Sequence, residues 1–518
     1  FEMNSVEDLG LLKMDLLGLK NLTTIEDSIK LINEKRTEEN IFSMQNIPMD
    51  DAQTFALLQA TNTTGVFQLE SSGMRRYLKE LKPTNFEDIV AMVALYRPGP
   101  MDLIPTYINR KHGREKVEYL HPKLEPILGK TYGVGVYQEQ MMRIARDLAG
   151  FSLAEADTLR KAIGKKIKEL LDQQQARLVN GMMKNGIDEK IAQAIWELFP
   201  PFARYGFNRS HAVCYAMTSY QTAYLKAHYP IEFMTSLLNC DAGDIDRISF
   251  LVSESKKSGI DILPPDINSS MSSFTPDENK IRFGLAAIKN VGETIVSAII
   301  EERTRGGQFI TLIDLLQRVQ HKDLNKKSLE SLAKCGALDS LKLERNILVH
   351  NIDDIIKFSS ALKQANKTNQ GGLFGSAVAT NALKLKAAPL ADTKTKLAWE
   401  KELLGLFISD HPLNLHKEKI LLVKARNIKQ ATEEKSETQR FIMAGIITKV
   451  QKIVTKKGAP MAFAKVEDLN DSIEAVIFPE VFSKTINLWQ ENTAVLLTGR
   501  MSWRNGEGKL MCDNGQLL

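Results

Sequence analysis

Five basic residues fall within nine positions in the stretch "RKAIGKKIK": Arg160, Lys161, Lys165, Lys166 and Lys168, with no acid between them. On a helix, Lys161 and Lys165 share a face, and Arg160 lies near Lys168 two turns on. Several ammonium and guanidinium groups at this spacing suit a polyphosphate, each taking an oxygen, and Gly164 leaves backbone open to an anion. The same spacing also reads as a solvated basic face. A second cluster follows in "RYGFNRSH", where Arg204, Asn208, Arg209 and His211 surround an aromatic-Gly-aromatic turn. These are donors without carboxylates, suited to gripping phosphate or sugar. The stretch also reads as a helix start with Asn208 or Ser210 as N-cap, and a helix N-terminus itself attracts anions. A third feature is a lone carboxylate, Asp15, among Leu11, Leu12, Met14, Leu16 and Leu17. Buried there, it needs a partner or a metal; otherwise it is a strand-end turn or cap residue.

Further stretches carry binding chemistry. "GLAAIKNVGETIVSAI" (284–299) has the pattern of a helix-hairpin-helix, whose tight turn presents backbone N–H groups to a DNA phosphate. Its candidate DNA-binding residues are Lys289, Asn290 and Gly292, with Asn290 at the usual first glycine position, where Asn tolerates a left-handed backbone. "LAKCGALDSL" (332–341) reads as a degenerate second copy. An ordinary helical hairpin is the other reading of both. In "QGGLF" (370–374), Gln370, Leu373 and Phe374 lie in a stretch with no local core to join, so Leu373 and Phe374 are either accidental or anchors for a partner's groove. Phe441, Phe463, Phe478 and Trp503 are candidates for stacking on single-stranded bases, with lysines of "KVQKIVTKKG" (449–458) in the loop after a first strand.

The elements that must position these residues follow from periodicity. Residues 1–50 alternate short apolar runs with turns, predicting a strand that ends near Asp15 and a helix over 24–35. Residues 51–235 are mostly helical, punctuated at "RPGP" and "FPP". Residues 236–345 predict short helices with glycine turns, and 362–396 a flexible linker. Residues 440–515 predict five strands with a short helix near 480–489, an OB-type Greek-key barrel. The fold class is therefore multidomain α+β: a mostly helical first half, a helix-hairpin-helix region and a five-stranded OB-type β-barrel. At 518 residues the chain exceeds one core. No apolar run approaches membrane-spanning length, so no membrane partner is expected. Cys214, Cys240, Cys335 and Cys512 form no C-x-x-C pair, which argues against a zinc site or disulfide framework and fits a reducing, cytoplasmic setting. A net charge of +5 identifies no partner by itself.

The order of motifs resembles the family C replicative DNA polymerases, the bacterial DNA polymerase III alpha subunits. "KMDLLGLKNLT", "TTGVFQLESSGM", "LYRPGPMD", "YGVGVYQEQMM", "LRKAIGKK", "YGFNRSHAVCYAMTSYQTAYLKAHYP" and "LLGLFISDHPL" look like successive signatures of that family. The resemblance implies the C-terminal part of a palm over 1–50, fingers over 51–270 and a helix-hairpin-helix region over 271–345. A little-finger and clamp-binding segment over 346–435 and an OB domain over 436–518 follow. It implies that Asp15 is the third catalytic aspartate, joining two others outside this sequence to hold two Mg²⁺ ions. It implies that the basic cluster grips an incoming deoxynucleoside triphosphate beside primer-template DNA, and that Gln370, Leu373 and Phe374 bind the sliding clamp. The clamp loader and proofreading exonuclease are implied partners of parts outside the sequence. With one of three aspartates present, the fragment alone is expected to be inactive. A non-catalytic, clamp-tethered DNA-binding scaffold is the alternative reading. A DNA ligase, which also joins helix-hairpin-helix and OB modules, is discounted because no K-x-D-G nucleophile motif occurs.

Overall fold

The computed structural model describes residues 2–12, 14, 18–165, 168–199, 206–368, 383–434, 436–504 and 507–518. The chain divides into two compact units, Phe1–Ser236 and Leu237–Leu518.

The first unit is helical around two cores. Helices α1 (Lys20–Asn33), α2 (Ala52–Gln59) and α3 (Phe86–Leu95) are followed by α4 (Gln138–Ala149), α5 (Leu153–Lys165), α6 (Lys168–Lys184) and the 20-residue α7 (Arg209–His228). One core gathers α2, α3 and α7 around Leu58, Ile89, Leu95, Ala216 and Tyr220. Small residues on α7 (Ala212, Ala216, Ser219, Ala223) let its neighbours approach closely. Tyr220 sits wholly buried there, and its hydroxyl is satisfied by the Pro48 carbonyl at 2.6 Å. The other core packs Ala156 and Leu159 of α5 against Ile144 and Leu148 of α4 and Leu178 and Met182 of α6. Gly181 permits that contact, because a Cβ there would stand 2.3 Å from the Ala149 carbonyl oxygen.

In the second unit, α8 (Ile245–Lys257) leads into a small sheet of β1 (Ile262–Leu263), β2 (Thr275–Asp277) and β3 (Lys280–Arg282). β3 lies between the other two, parallel to β1 and antiparallel to β2. Helices α9 (Glu293–Gly306), α10 (Lys326–Lys334), α11 (Ile352–Thr368) and α12 (Thr393–Leu404) follow. The chain ends in a closed barrel of β4 (Arg440–Val454), β5 (Pro460–Glu467), β6 (Ser472–Ile477), β7 (Ala494–Arg504) and β8 (Glu507–Leu517), in the order β4-β5-β6-β8-β7. The helix Pro479–Lys484 stands between β6 and β7, and β6 pairs with β8 in parallel. Alternation drives closure: Ala462, Ala464 and Val466 of β5 point into the core while Lys465 faces solvent.

Several expectations need correction. Among the described residues before Asp15 there is no strand; a helix occupies Met3–Asp8, and Leu11, Leu12 and Met14 are exposed. The apolar run therefore does not form a buried strand at its described flanks. The linker expected over 362–396 is shorter, since α11 runs to Thr368 and α12 begins at Thr393. Asx capping decides the second boundary: the Asp392 side chain accepts from Thr395 N at 2.7 Å. The 236–345 region contains the β1–β3 sheet besides helices.

Candidate nucleotide and nucleic-acid interface

Helix α5 is set by a reciprocal cap. Ser152 N and Oγ donate to Glu155 at 2.8 and 2.9 Å, and Glu155 N donates back to Ser152 Oγ. The backbone N–H of Ser152, together with the Arg177 guanidinium, holds the Glu155 carboxyl down at about 2. With Ala156, Leu159 and Ala162 buried, the helix turns Arg160 and Lys161 outward, where their side chains are 37% and 63% exposed. Both pair with Asp157 on the preceding turn: Arg160 Nη2 and Lys161 Nζ each lie 2.9 Å from its carboxylate oxygens. Lys161 and then Arg160 lower the Asp157 pKa. The run from Arg160 to Lys168 contains no acid, but the carboxylate three and four residues upstream reaches it. Helical spacing carries that signal. Lys165 belongs to α5, and Lys166 lies outside the described residues.

At the start of α7, Asn208 is the N-cap, its Oδ1 accepting from His211 N at 2.8 Å. Its amide donates to Glu139 at 3.0 Å, and Arg209 N donates to the same carboxylate at 2.9 Å. The Arg209 guanidinium donates to Glu87 at 2.6 Å and stands over the Tyr137 ring. The donors of Asn208 and Arg209 are thus engaged by Glu87 and Glu139, neither legible from the sequence because each comes from a different helix. His211 is exposed and joins a row of rings: Phe207 at 5.4 Å, Tyr215 at 4.4 Å, then Phe67 at 5.2 Å from Tyr215. Arg97 caps that row, 4.1 Å over Phe207, with its pKa lowered by burial. Arg97, from "RPGP", had no signal beyond its type. Arg204 lies outside the described residues, as do Asp15, Gln370, Leu373 and Phe374.

In the second unit, Asn290 adopts a left-handed backbone (φ 69°), as the hairpin reading requires. Its amide donates to Ser331 Oγ at 3.2 Å, and Gly292 caps α9. Lys289, Asn290 and Gly292 are exposed, although Lys289 N donates to the Leu403 carbonyl rather than remaining open. The stretch 332–341 is closed from within. Gly336 (φ 86°) faces the Arg345 guanidinium, which bridges Asp339 at 2.7 Å and the buried Glu400 at 2.9 Å. Burial opposes the Arg345 charge, yet the hydrogen bonds it donates to Asp339 and Glu400 leave its pKa raised. Glu400 also accepts from Ile408 N and Ser409 N, each at 3.0 Å.

On the barrel, Phe441 is core and cannot stack on a base. Trp503 packs partly against the core, while Phe478 is 49% exposed. Phe463 lies half-buried on the outer face with Lys509 Nζ 5.9 Å from its ring. Lys449 and Lys452 stand on β4 itself rather than in a loop, because the strand continues to Val454 against β5.

No group of three or more His, Cys, Asp or Glu side chains able to hold a metal occurs among the described residues. No described helix is long and apolar enough to cross a membrane.

Fingers-like helices, a helix-hairpin-helix turn and an OB barrel in this order are the modules of a nucleic-acid-handling protein. Residues 21–186 match the bacterial DNA polymerase III alpha subunit finger domain, 259–348 a helix-hairpin-helix motif and 441–518 an OB-fold nucleic acid binding domain. By sequence the chain belongs with the bacterial DNA polymerase III alpha subunits. It is 43% identical to that of Halalkalibacterium halodurans and 42% to that of Bacillus subtilis, over 99% and 100% of its own length. It is 40% identical to that of Thermus aquaticus over 96%. The chain spans under half the length of these relatives: 45%, 46% and 41%.

Proposed function

We propose that this chain is the nucleotide-gripping and DNA-holding part of a replicative DNA-directed DNA polymerase that extends a primer 3′ end. The observation that carries the reading is the α5 basic turn, exposed and on a helix within a matched finger domain. Phosphoryl transfer is catalysed mainly by positioning and charge neutralisation, which such a turn supplies. Asp157 holds Arg160 and Lys161 in place, and a triphosphate arriving there exchanges one carboxylate for several phosphate oxygens. His211, Arg209 and Asn208 border the same nucleotide or template; Lys289, Asn290 and Gly292 contact DNA backbone. Asp15 is the chain's ligand for Mg²⁺ in the intact polymerase, and Gln370, Leu373 and Phe374 tether it to a sliding clamp.

Replacing Arg160 and Lys161 by Gln in the full-length protein tests this. Each charge-assisted hydrogen bond is worth about 1.5–3 kcal/mol, so nucleotide KM rises at least about tenfold with DNA affinity nearly unchanged. A fall in duplex affinity with unchanged nucleotide kinetics makes the turn a DNA-backbone contact and sinks the assignment.

A further inference from the structure

A cavity of about 570 Å³ lies between α8, the 406–414 segment and the β4 and β5–β6 edge of the barrel. That size suits a small ligand. Its walls carry four cations and four carboxylates, but the two sets are not equivalent. Asp468 accepts from Ile428, Asn470 and Asp471 N–H groups, a turn-stapling role. Asp410 accepts from His411 N and the Asn414 amide. Asp471 pairs with Lys257 at 2.9 Å. Three carboxylates are thus engaged by the cavity's own frame. Lys256 and Lys429, both exposed on the rim, have no ion-pair partner among the described residues.

The inner wall is of different character. Phe407 is half-buried, with Lys401 Nζ 5.5 Å from its ring centre and the His411 ring edge-on at 6.1 Å. His411 Nδ1 accepts from Leu413 N, so in the neutral ring Nε2 carries the proton and donates. Burial, reinforced by Lys256, pushes the His411 pKa down to about 4, which keeps that neutral form. Among the described residues Glu467 has no side-chain hydrogen-bond partner, and burial raises its pKa. Together these provide an aromatic surface, a neutral donor and an open carboxyl for a base edge, with two unpaired ammonium groups for a phosphate.

We propose that this cavity is a second nucleotide-recognition site, distinct from the α5 turn, that takes one nucleoside 5′-phosphate with its base toward Phe407 and His411 and its phosphate toward Lys256 and Lys429. The nucleotide is either free or one unit of a single strand; the chemistry is shared. The site does not depend on the polymerase reading, since it uses no residue of the matched finger domain, 21–186.

The test is calorimetric titration of the 518-residue chain carrying Arg160→Gln and Lys161→Gln, which silences the α5 turn. The probes are deoxyadenosine 5′-monophosphate, deoxyribose 5-phosphate and a deoxythymidine octamer. Saturable binding of the mononucleotide is expected, weakened about tenfold or more by Lys256→Gln with Lys429→Gln. Phe407→Leu is expected to weaken it about fivefold while leaving the base-less sugar phosphate unaffected. If that variant melts early, the exposed lysine pair decides alone. An octamer about tenfold tighter than the monomer, and equally lysine-dependent, assigns a strand; equal affinities assign a free nucleotide. No saturable binding of monomer or octamer, or binding indifferent to both lysines, overturns the proposal. Failure here with the Arg160 and Lys161 effect intact in primer extension leaves the polymerase reading standing, and the reverse result leaves this site standing.

Discussion

Two arginines, Arg160 in the first unit and Arg345 in the second, each sit beside carboxylates, yet they do opposite work. Arg160 is paired at 2.9 Å with Asp157 on an open helix face. Arg345 is 8% exposed, bridges Asp339 and Glu400, and fills the turn at Gly336. An exposed pair contributes little to stability, because water and salt compete for both partners, so a ligand can displace one of them. A buried pair cannot be exchanged: removing either member leaves a desolvated charge. The 332–341 turn is thus locked by a buried ion pair, whereas the charges of the α5 turn are exposed.

The largest expected effect comes from breaking the buried member. Glu400→Ala leaves the buried Arg345 guanidinium with Asp339 alone and frees the Ile408 and Ser409 amides, so the second unit loses about 3–5 kcal/mol in urea denaturation. A loss indistinguishable from zero erases the contrast between the two arginines. On the exposed side, Asp157→Asn leaves the denaturation midpoint in place and releases Arg160 and Lys161. Nucleotide affinity then rises about two- to fivefold, read by equilibrium titration, if the carboxylate competes with phosphate. Unchanged affinity means the ligand never meets those two side chains.

The smallest effect is the pH dependence of the α5 cap. Glu155 has its folded pKa depressed to about 2 from 4.5. Its stabilisation is therefore complete above pH 4.5 and disappears as pH falls toward 2. Glu155→Gln should flatten the acid limb of the stability–pH curve over that window. Identical limbs for the two proteins show that the cap does not couple to protonation.

Much of this is readable in the sequence alone. The barrel strands are legible because alternation at period two has no competing explanation over such lengths, and the five observed strands run from Arg440 to Leu517 against the expected 440–515. The helix expected over 24–35 occupies Lys20–Asn33, and its buried Ile25, Ser28 and Ile32 mark the inward stripe. The basic run, the Asn208 cap and the left-handed Asn290 were equally visible, since each is a local preference of residue type.

What sequence could not decide is which charged groups remain available. Arg160 and Arg345 are the same residue type; only the packing of α12 beside the second hairpin turn buries one of them against Glu400. Glu87 and Glu139 reach Arg209 and Asn208 from helices about 120 and 70 positions away, as the separations of 122, 69 and 70 residues show. Phe441 and Phe463 alternate on neighbouring strands, and barrel closure alone puts the first inside and the second outside. Local preference is written in neighbouring residues, whereas desolvation and partner choice depend on what the rest of the chain folds against them. The sequence by itself determined the modules and their order; tertiary packing determined which of their charges can still bind.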